Sequence, residues 1–277
     1  MLLASNHMFP TGPIEVVFER LARAGAGGLD LFLPHVPYLL DGRFGSRNLA
    51  LCRQAAAAAG VPIQSIIGAP LQGNAGFGAY LGPDPDKGRA DSVAFVRHNV
   101  ELAAALGASH FSTAEGRLPN GADERETWGR LVRTLKEAAP IAEAGGVTIQ
   151  IELHPGLIAS TPDKAPRLIE EVGSKAVRIC LDFCHANVIT KGDPVGMIRA
   201  LKGAMGAIHI SDGIQAPGLH LPIGQGEIDV DACIRAAKEV GHDGPWVLCM
   251  YGNAFPEHTL RTAVRFLQER HPDILAR

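Results

Sequence analysis

Eight short apolar runs recur along the 277 residues, separated by longer stretches with helical spacing, and this alternation limits the fold more than any other feature. The runs are 2–8 (LLASNHM), 29–36 (LDLFLPHV), 62–69 (PIQSIIGA), 109–116 (SHFSTAEG), 147–155 (VTIQIELHP), 177–186 (VRICLDFCHA), 207–213 (AIHISDG) and 246–252 (WVLCMYG). Several are dense in Ile, Val and Leu, as strands covered on both faces must be. Residues 14–24, 92–106, 124–144 and 230–240 are amphipathic; in the first, Val17, Leu21 and Ala24 share one face. Gly60, Gly107, Gly145 and Gly241 follow such stretches just before a strand, where glycine is the usual left-handed stop. A last helix is predicted over about 258–270. Strict alternation demands parallel strands with right-handed crossovers. Eight units favour closure, so the expectation is one α/β domain over 1–277, a (β/α)8 TIM barrel. The competing open sheet lacks a G-x-G-x-x-G after its first strand.

Composition agrees. Hydrophobic residues make up 46% and charged residues 20%, enough for a large core and against disorder. A net charge of −3 without a basic run argues against nucleic acid as a partner. Five cysteines, an odd number without C-x-x-C spacing, fit a reducing compartment better than a disulfide framework. The first residues lack the basic and apolar regions of a secretory leader, and no apolar run approaches about 20 residues. A soluble cytoplasmic protein without a membrane partner is therefore expected; assembly into a homo-oligomer stays open.

In such barrels the reacting groups stand at the C-terminal ends of the strands. An ionisable side chain there is costly unless paired or metal-bound. The fifth strand ends Ile-Glu152-Leu-His154-Pro, the sixth Leu-Asp182-Phe-Cys-His185, and the seventh Ile-His209-Ile-Ser-Asp212. Glu152, Asp182 and His209 thus come from three consecutive strands, and two carboxylates with an imidazole suit Mn2+, Mg2+, Co2+ or Zn2+. The glycine-rich stretch 68–88 has the length and position of a substrate loop.

Four motifs follow one another: E-x-H-P-G, L-D-x-x-H-A, H-I-S-D and G-x-G-x-I-D (Gly224 to Asp229). In this order they resemble the xylose isomerase-like barrels, which include ketose 3-epimerases, hydroxypyruvate isomerases, inosose and 3-dehydroshikimate dehydratases, and endonuclease IV. The resemblance spans the chain and is strongest over about 147–245. It implies metal ligation by Glu152, Asp182 and His209, substrate contact by His185, and an orienting role for Asp30, which stands where many relatives have Glu. Many relatives also carry a metal-binding Glu on strand eight; here the spacing puts Cys249 there. Two roles stay open for Cys249, a thiolate ligand that favours Zn2+ or a buried apolar filler. His220 falls where endonuclease IV has a zinc ligand, but Gly218 stands where an Asp would precede it. The third and fourth strand ends also lack the His that a trinuclear cluster needs.

The leading expectation is a metal-dependent isomerase or epimerase of a sugar or keto-sugar. Glu152, His185 and His154 are the candidate proton carriers. Dehydration of a keto-polyol is the runner-up, favoured by the absent strand-eight Glu. A DNA-repair endonuclease and a metal-free binding barrel are the remaining readings. Without a phosphate-cradling motif, an unphosphorylated carbohydrate is expected. Substrate contacts are expected from His185, His220 and the anion-binding candidate Arg117. The aromatic residues Phe32, Phe77, Trp246 and Tyr251 are expected either to stack on a sugar ring or to be core.

Overall fold

A computed structural model of the chain describes residues 1–9, 12–33, 45–68, 87–118, 121–251 and 254–275. Eight parallel strands close on themselves: β1 (Leu2–Ser5), β2 (Gly28–Phe32), β3 (Ile63–Ile67), β4 (His110–Thr113), β5 (Thr148–Glu152), β6 (Val177–Asp182), β7 (Met205–Ile210) and β8 (Trp246–Leu248). β8 returns to β1, with Leu2 opposite Trp246 and Ala4 opposite Leu248. No edge is left unpaired. Each run of the sequence became a strand, but most strands stop short of the run's end. After β1, Ser5 accepts the His7 N–H and the chain enters a 3-10 turn, Asn6–Met8.

Helices surround the barrel: α1 (Ile14–Arg23), α2 (Gly45–Ala59), α3 (Lys87–Leu106), α4 (Glu124–Gly145), α5 (Lys164–Val172), α6 (Phe183–Ile189), α7 (Pro194–Ala200), α8 (Val230–Glu239) and α9 (Pro256–Arg270). Sequence periodicity located α1, α4, α8 and α9 closely. It started α3 five residues late, and it did not single out α2, α5, α6 or α7. α2 ends in five alanines, which favour helix without marking a buried face. α6 was absorbed into the sixth apolar run, because the Asp182 that ends β6 also caps α6. Its Oδ1 accepts the N–H groups of Cys184 at 2.7 Å and His185 at 3.2 Å. Pro194 opens α7 behind the capping Asp193, whose side chain accepts the Gly196 N–H at 2.8 Å.

The apolar core is the layer between strands and helices. Leu29, Leu31, Ile149, Ile151, Ile179, Leu181, Ile208 and Ile210 point outward into it against Phe18, Leu135, Leu168 and Ile234. Strand alternation turns the intervening residues into the lumen. There the barrel is polar: Asp30, Ser65, Ser112, Gln150, Glu152, Cys180, Asp182 and His209 are all buried. Among the described residues, no helix is long and apolar enough to cross a membrane.

Candidate metal centre and active site

The C-terminal mouth of the barrel opens into a cleft of about 500 Å3, counting its open side. Glu152, His154 and His185 line one side, and His220, Cys249, Tyr251, His7 and Phe32 the other. Backbone geometry places them. The Asn6 side chain pairs with the backbone N–H and C=O of Phe32, which fixes the turn after β1 to the end of β2. His7 is left stacked between Phe32 and Tyr251, both ring centroids 4.0 Å away.

Glu152 ends β5 and is level with Cys180, while Asp182 is level with His209. The Nδ1 of His209 lies 2.8 Å from Glu152 Oε1, and the Nε2 of His154 lies 3.3 Å from Oε2. Burial opposes ionisation of Glu152, but these two imidazoles outweigh it and hold the carboxyl well below the usual range. As a carboxylate, Glu152 accepts from a protonated Nδ1 of His209; burial acts downward on that imidazole, but Cys180 and Glu152 hold it well above its ordinary range.

Asp182 is buried with three imidazoles. Burial is again the largest influence and acts upward, yet His220, then His185 and His209, bring its pKa down to about 2. Its Oδ2 lies 3.3 Å from His220 Nδ1. His185, one turn into α6, is pushed down to about 4, chiefly by burial, and is a neutral imidazole at neutral pH. His220 is held by the loop that follows β7. Asp212 forms a two-residue antiparallel bridge with Leu221, and its carboxylate accepts the N–H groups of Gly213, Gly224, Gly226 and Ile228 at 2.8–3.1 Å. This explains the G-x-G-x-I-D motif. A Cβ on Gly226 would come within 2.3 Å of Asp212 Oδ1 and 2.4 Å of the Gly213 carbonyl.

Several buried donor atoms in the cleft wall or just beneath it lack a hydrogen-bond partner: Asp182 Oδ2, His185 Nδ1, His209 Nε2, His220 Nε2 and His154 Nε2. The two 3.3 Å carboxylate–imidazole contacts therefore have the separation of co-ligands without hydrogen-bond geometry. Such a donor set fits a divalent cation. Among the described residues three groups bring their donor atoms within 4.8 Å of one another: Asp182–Cys184–His185–His220, Glu152–Cys180–His209 and Glu152–His154–His185. Glu152 and His185 each belong to two groups, so the three form one connected cluster. Glu152, Asp182 and His209 all lie in it but not within a single group, because Asp182 faces His220 while Glu152 faces His209.

Cys249 follows β8 and lines the cleft, but none of these groups contains it. Burial pushes its thiol well up, so it is neutral there. Trp246 sits elsewhere. As the first residue of β8 it lies at the N-terminal end of the barrel, where its N–H donates to the Met1 carbonyl and its ring meets His242 edge-on. It is core, and the reason is strand direction: the mouth is reached only after Leu248. Arg117 is exposed on the loop after β4, its guanidinium beside Gly156 and away from the cleft lining. Phe77 and most of the stretch 68–88 lie outside the described residues. Asp30 is fully buried in the lumen, neither oxygen has a hydrogen-bond partner, and burial raises its pKa.

Two residues escaped the sequence reading. His7 looked like part of a strand. Glu115 belongs to the run SHFSTAEG, and the signal is a carboxylate two residues past the end of β4. Glu115 is fully buried, its Oε1 accepts the Ala159 N–H at 3.0 Å and the Ser160 hydroxyl at 2.9 Å, and Oε2 has no partner.

A family profile described as "xylose isomerase-like TIM barrel" matches residues 18–270. An uncharacterized protein of Methanocaldococcus jannaschii is 29% identical over 167 residues, 55% of this chain and 54% of that protein. A putative hydroxypyruvate isomerase of Mus musculus is 26% identical over 243 residues, 84% of this chain and 83% of its own length. Among solved structures, D-psicose 3-epimerase of Clostridium cellulolyticum H10 with D-tagatose superposes with a TM-score of 0.79, covering 97% of this chain and 98% of that one. At 18% identity that likeness concerns the fold alone.

Proposed function

The chain belongs to the xylose isomerase-like TIM barrel family, and on that premise we propose that it is a divalent-metal-dependent isomerase or epimerase of a small sugar or keto-sugar. The observation that carries this is the connected cluster of unpartnered, buried carboxylate and imidazole atoms at the C-terminal mouth. Glu152, Asp182 and His209 would hold the cation, with His185 and His220 beside Asp182. When bound, such an ion supplies Lewis-acid polarisation of a substrate carbonyl or hydroxyl.

The chain's own groups then divide the remaining work. Glu152 is ionised and reaches the cleft, so it is the candidate to take the proton next to the carbonyl. His154 is held above its ordinary pKa despite burial, by Glu152, then Glu115 and Asp182, which favours the protonated form that could donate to an oxygen. His185 stays neutral and can orient substrate hydroxyls. Phe32, His7 and Tyr251 wall the other side. The relative named as a putative hydroxypyruvate isomerase supports a carbonyl substrate of this size. Cys249 favours a second reading, dehydration of a keto-polyol, because a neutral thiol stands where a second carboxylate base would be.

The test is metal-reconstituted protein in D2O with a panel of unphosphorylated ketoses and hydroxypyruvate, followed by NMR. Deuterium should enter next to the carbonyl, and Glu152→Gln should abolish it. Loss of water from the substrate would favour the dehydratase. Neither exchange nor elimination on any panel member, with metal bound, would sink both readings.

A further inference from the structure

Beyond the cation cluster, one buried carboxyl enters that scheme only through its field on His154. Glu115 lies on the loop after β4, within electrostatic reach of His154, and is not among the residues that line the cleft. Its Oε1 collects two donors from residues 159 and 160, while Oε2 is buried without a partner. The adjoining Gly116 carbonyl accepts the Ile158 N–H at 3.1 Å, so the β4 loop grips the β5 loop at two points. The gripped segment begins at His154, whose carbonyl accepts the Leu157 N–H at 3.2 Å. A carboxyl kept only to lock a loop could be an amide. An acid is costly to bury unless its charge is used or suppressed.

We propose that Glu115 is a positioning residue acting through His154: it locks the 154–160 segment, and its single exchangeable proton sets a charge within reach of the imidazole. This rests on the isomerase reading above. The charged and titratable groups around it are few among the described residues. His154 faces it from the loop after β5 and bears on it electrostatically, Ser160 donates to it, and Arg117, two residues on, turns its guanidinium toward Gly156. No cation of the described residues forms an ion pair or hydrogen bond with Glu115. Burial, the largest influence, lifts Glu115 to about 7, against its hydrogen bonds from Ser160 and Ala159 and the field of His154. Near neutral pH the group therefore exists in both forms. As a neutral acid it leaves His154 to Glu152 and Asp182; as a carboxylate it adds a further attraction on that imidazole.

Glu115→Gln separates charge from scaffold, since an amide oxygen can keep both hydrogen bonds to Oε1. With the protein Mg2+-loaded, kcat of the variant should fall about tenfold, the scale of other supporting partners. KM should change little, and the limb of the kcat profile near pH 7 should flatten. Independently of turnover, 13C-labelled glutamate should show one carboxyl titrating near pH 7 in wild type and absent from the variant. Ser160→Ala, which removes one donor to the carboxylate, should move that midpoint further up, and identifies the signal if Glu115→Gln does not fold. A carboxyl titrating in the ordinary range near 4.3, or a variant with the wild-type pH profile, would overturn the proposal. If wild type turns over no panel substrate, the isomerase reading fails on its own while the carboxyl titration still decides Glu115.

Discussion

Replacing Glu115 by Gln should remove one source of stability loss with rising pH. The carboxyl titrates at 4.5 when free and at about 7 in the folded chain. Below about pH 4.5 it is protonated in both states and contributes no difference. Between the two values the unfolded chain gives up the proton and the folded chain keeps it, so unfolding is favoured more with each step in pH. Above about 7 both are ionised and the loss is complete. Each tenfold change in proton affinity is worth about 1.4 kcal/mol, so the rise to about 7 costs about 3 kcal/mol at alkaline pH. Gln does not titrate and escapes this. It does bring a buried amide N–H group to a position with no acceptor, at about 1–3 kcal/mol independent of pH. The absolute stabilities of the two proteins are therefore uninformative, and the slope of their difference is the readout. Urea denaturation of chelated protein, at intervals from about pH 4.5 to about pH 8, measures it, with other titrating groups common to both chains and largely cancelling. The variant should gain about 3 kcal/mol on wild type across that range. A difference that stays flat within about 1 kcal/mol would mean that Glu115 keeps an ordinary acidity, and the burial argument would be wrong.

Two other substitutions probe the frame of the site. Cys249→Ser should leave Zn2+ and Mn2+ affinity within about threefold by titration calorimetry, because a neutral buried thiol is no ligand; a large selective loss of Zn2+ affinity would show a thiolate ligand instead. Gly226→Ala should displace the 213–228 loop, since its Cβ would meet backbone and the Asp212 carboxylate rather than a flexible side-chain end. A stability loss of about 2–4 kcal/mol is expected, with weakened metal binding as His220 shifts; a variant with wild-type metal affinity would show that Asp212 does not position His220.

The order of the chain was enough for the architecture. Alternating runs separated by glycine-terminated helices leave few topologies open, and the period of the pattern reports which face is covered. It also marks Glu152, Asp182 and His209 as candidates, because a polar residue at the end of an apolar strand stands out in one dimension. Strand ends were read too long wherever a polar side chain turned the chain, as Ser5 and Asp182 do by accepting N–H groups of the following turn. Trp246 stayed open between stacking on a sugar and core, because an apolar run carries no mark of which end of a strand a residue occupies; its place as the first residue of β8 decides for core.

Closure of the barrel decided the rest. Which imidazole faces which carboxylate depends on register between strands and on loops folded back by distant partners. Asp212 clamps residues 224–228 and sets His220 beside Asp182, a pairing across 38 positions that no local pattern encodes. Glu115 reads in the sequence as a loop carboxylate. It becomes a buried acid only because β4 and β5 are neighbours and the 154–160 segment closes over it, and a side chain's acidity is set by what excludes water from it, which is a property of three dimensions.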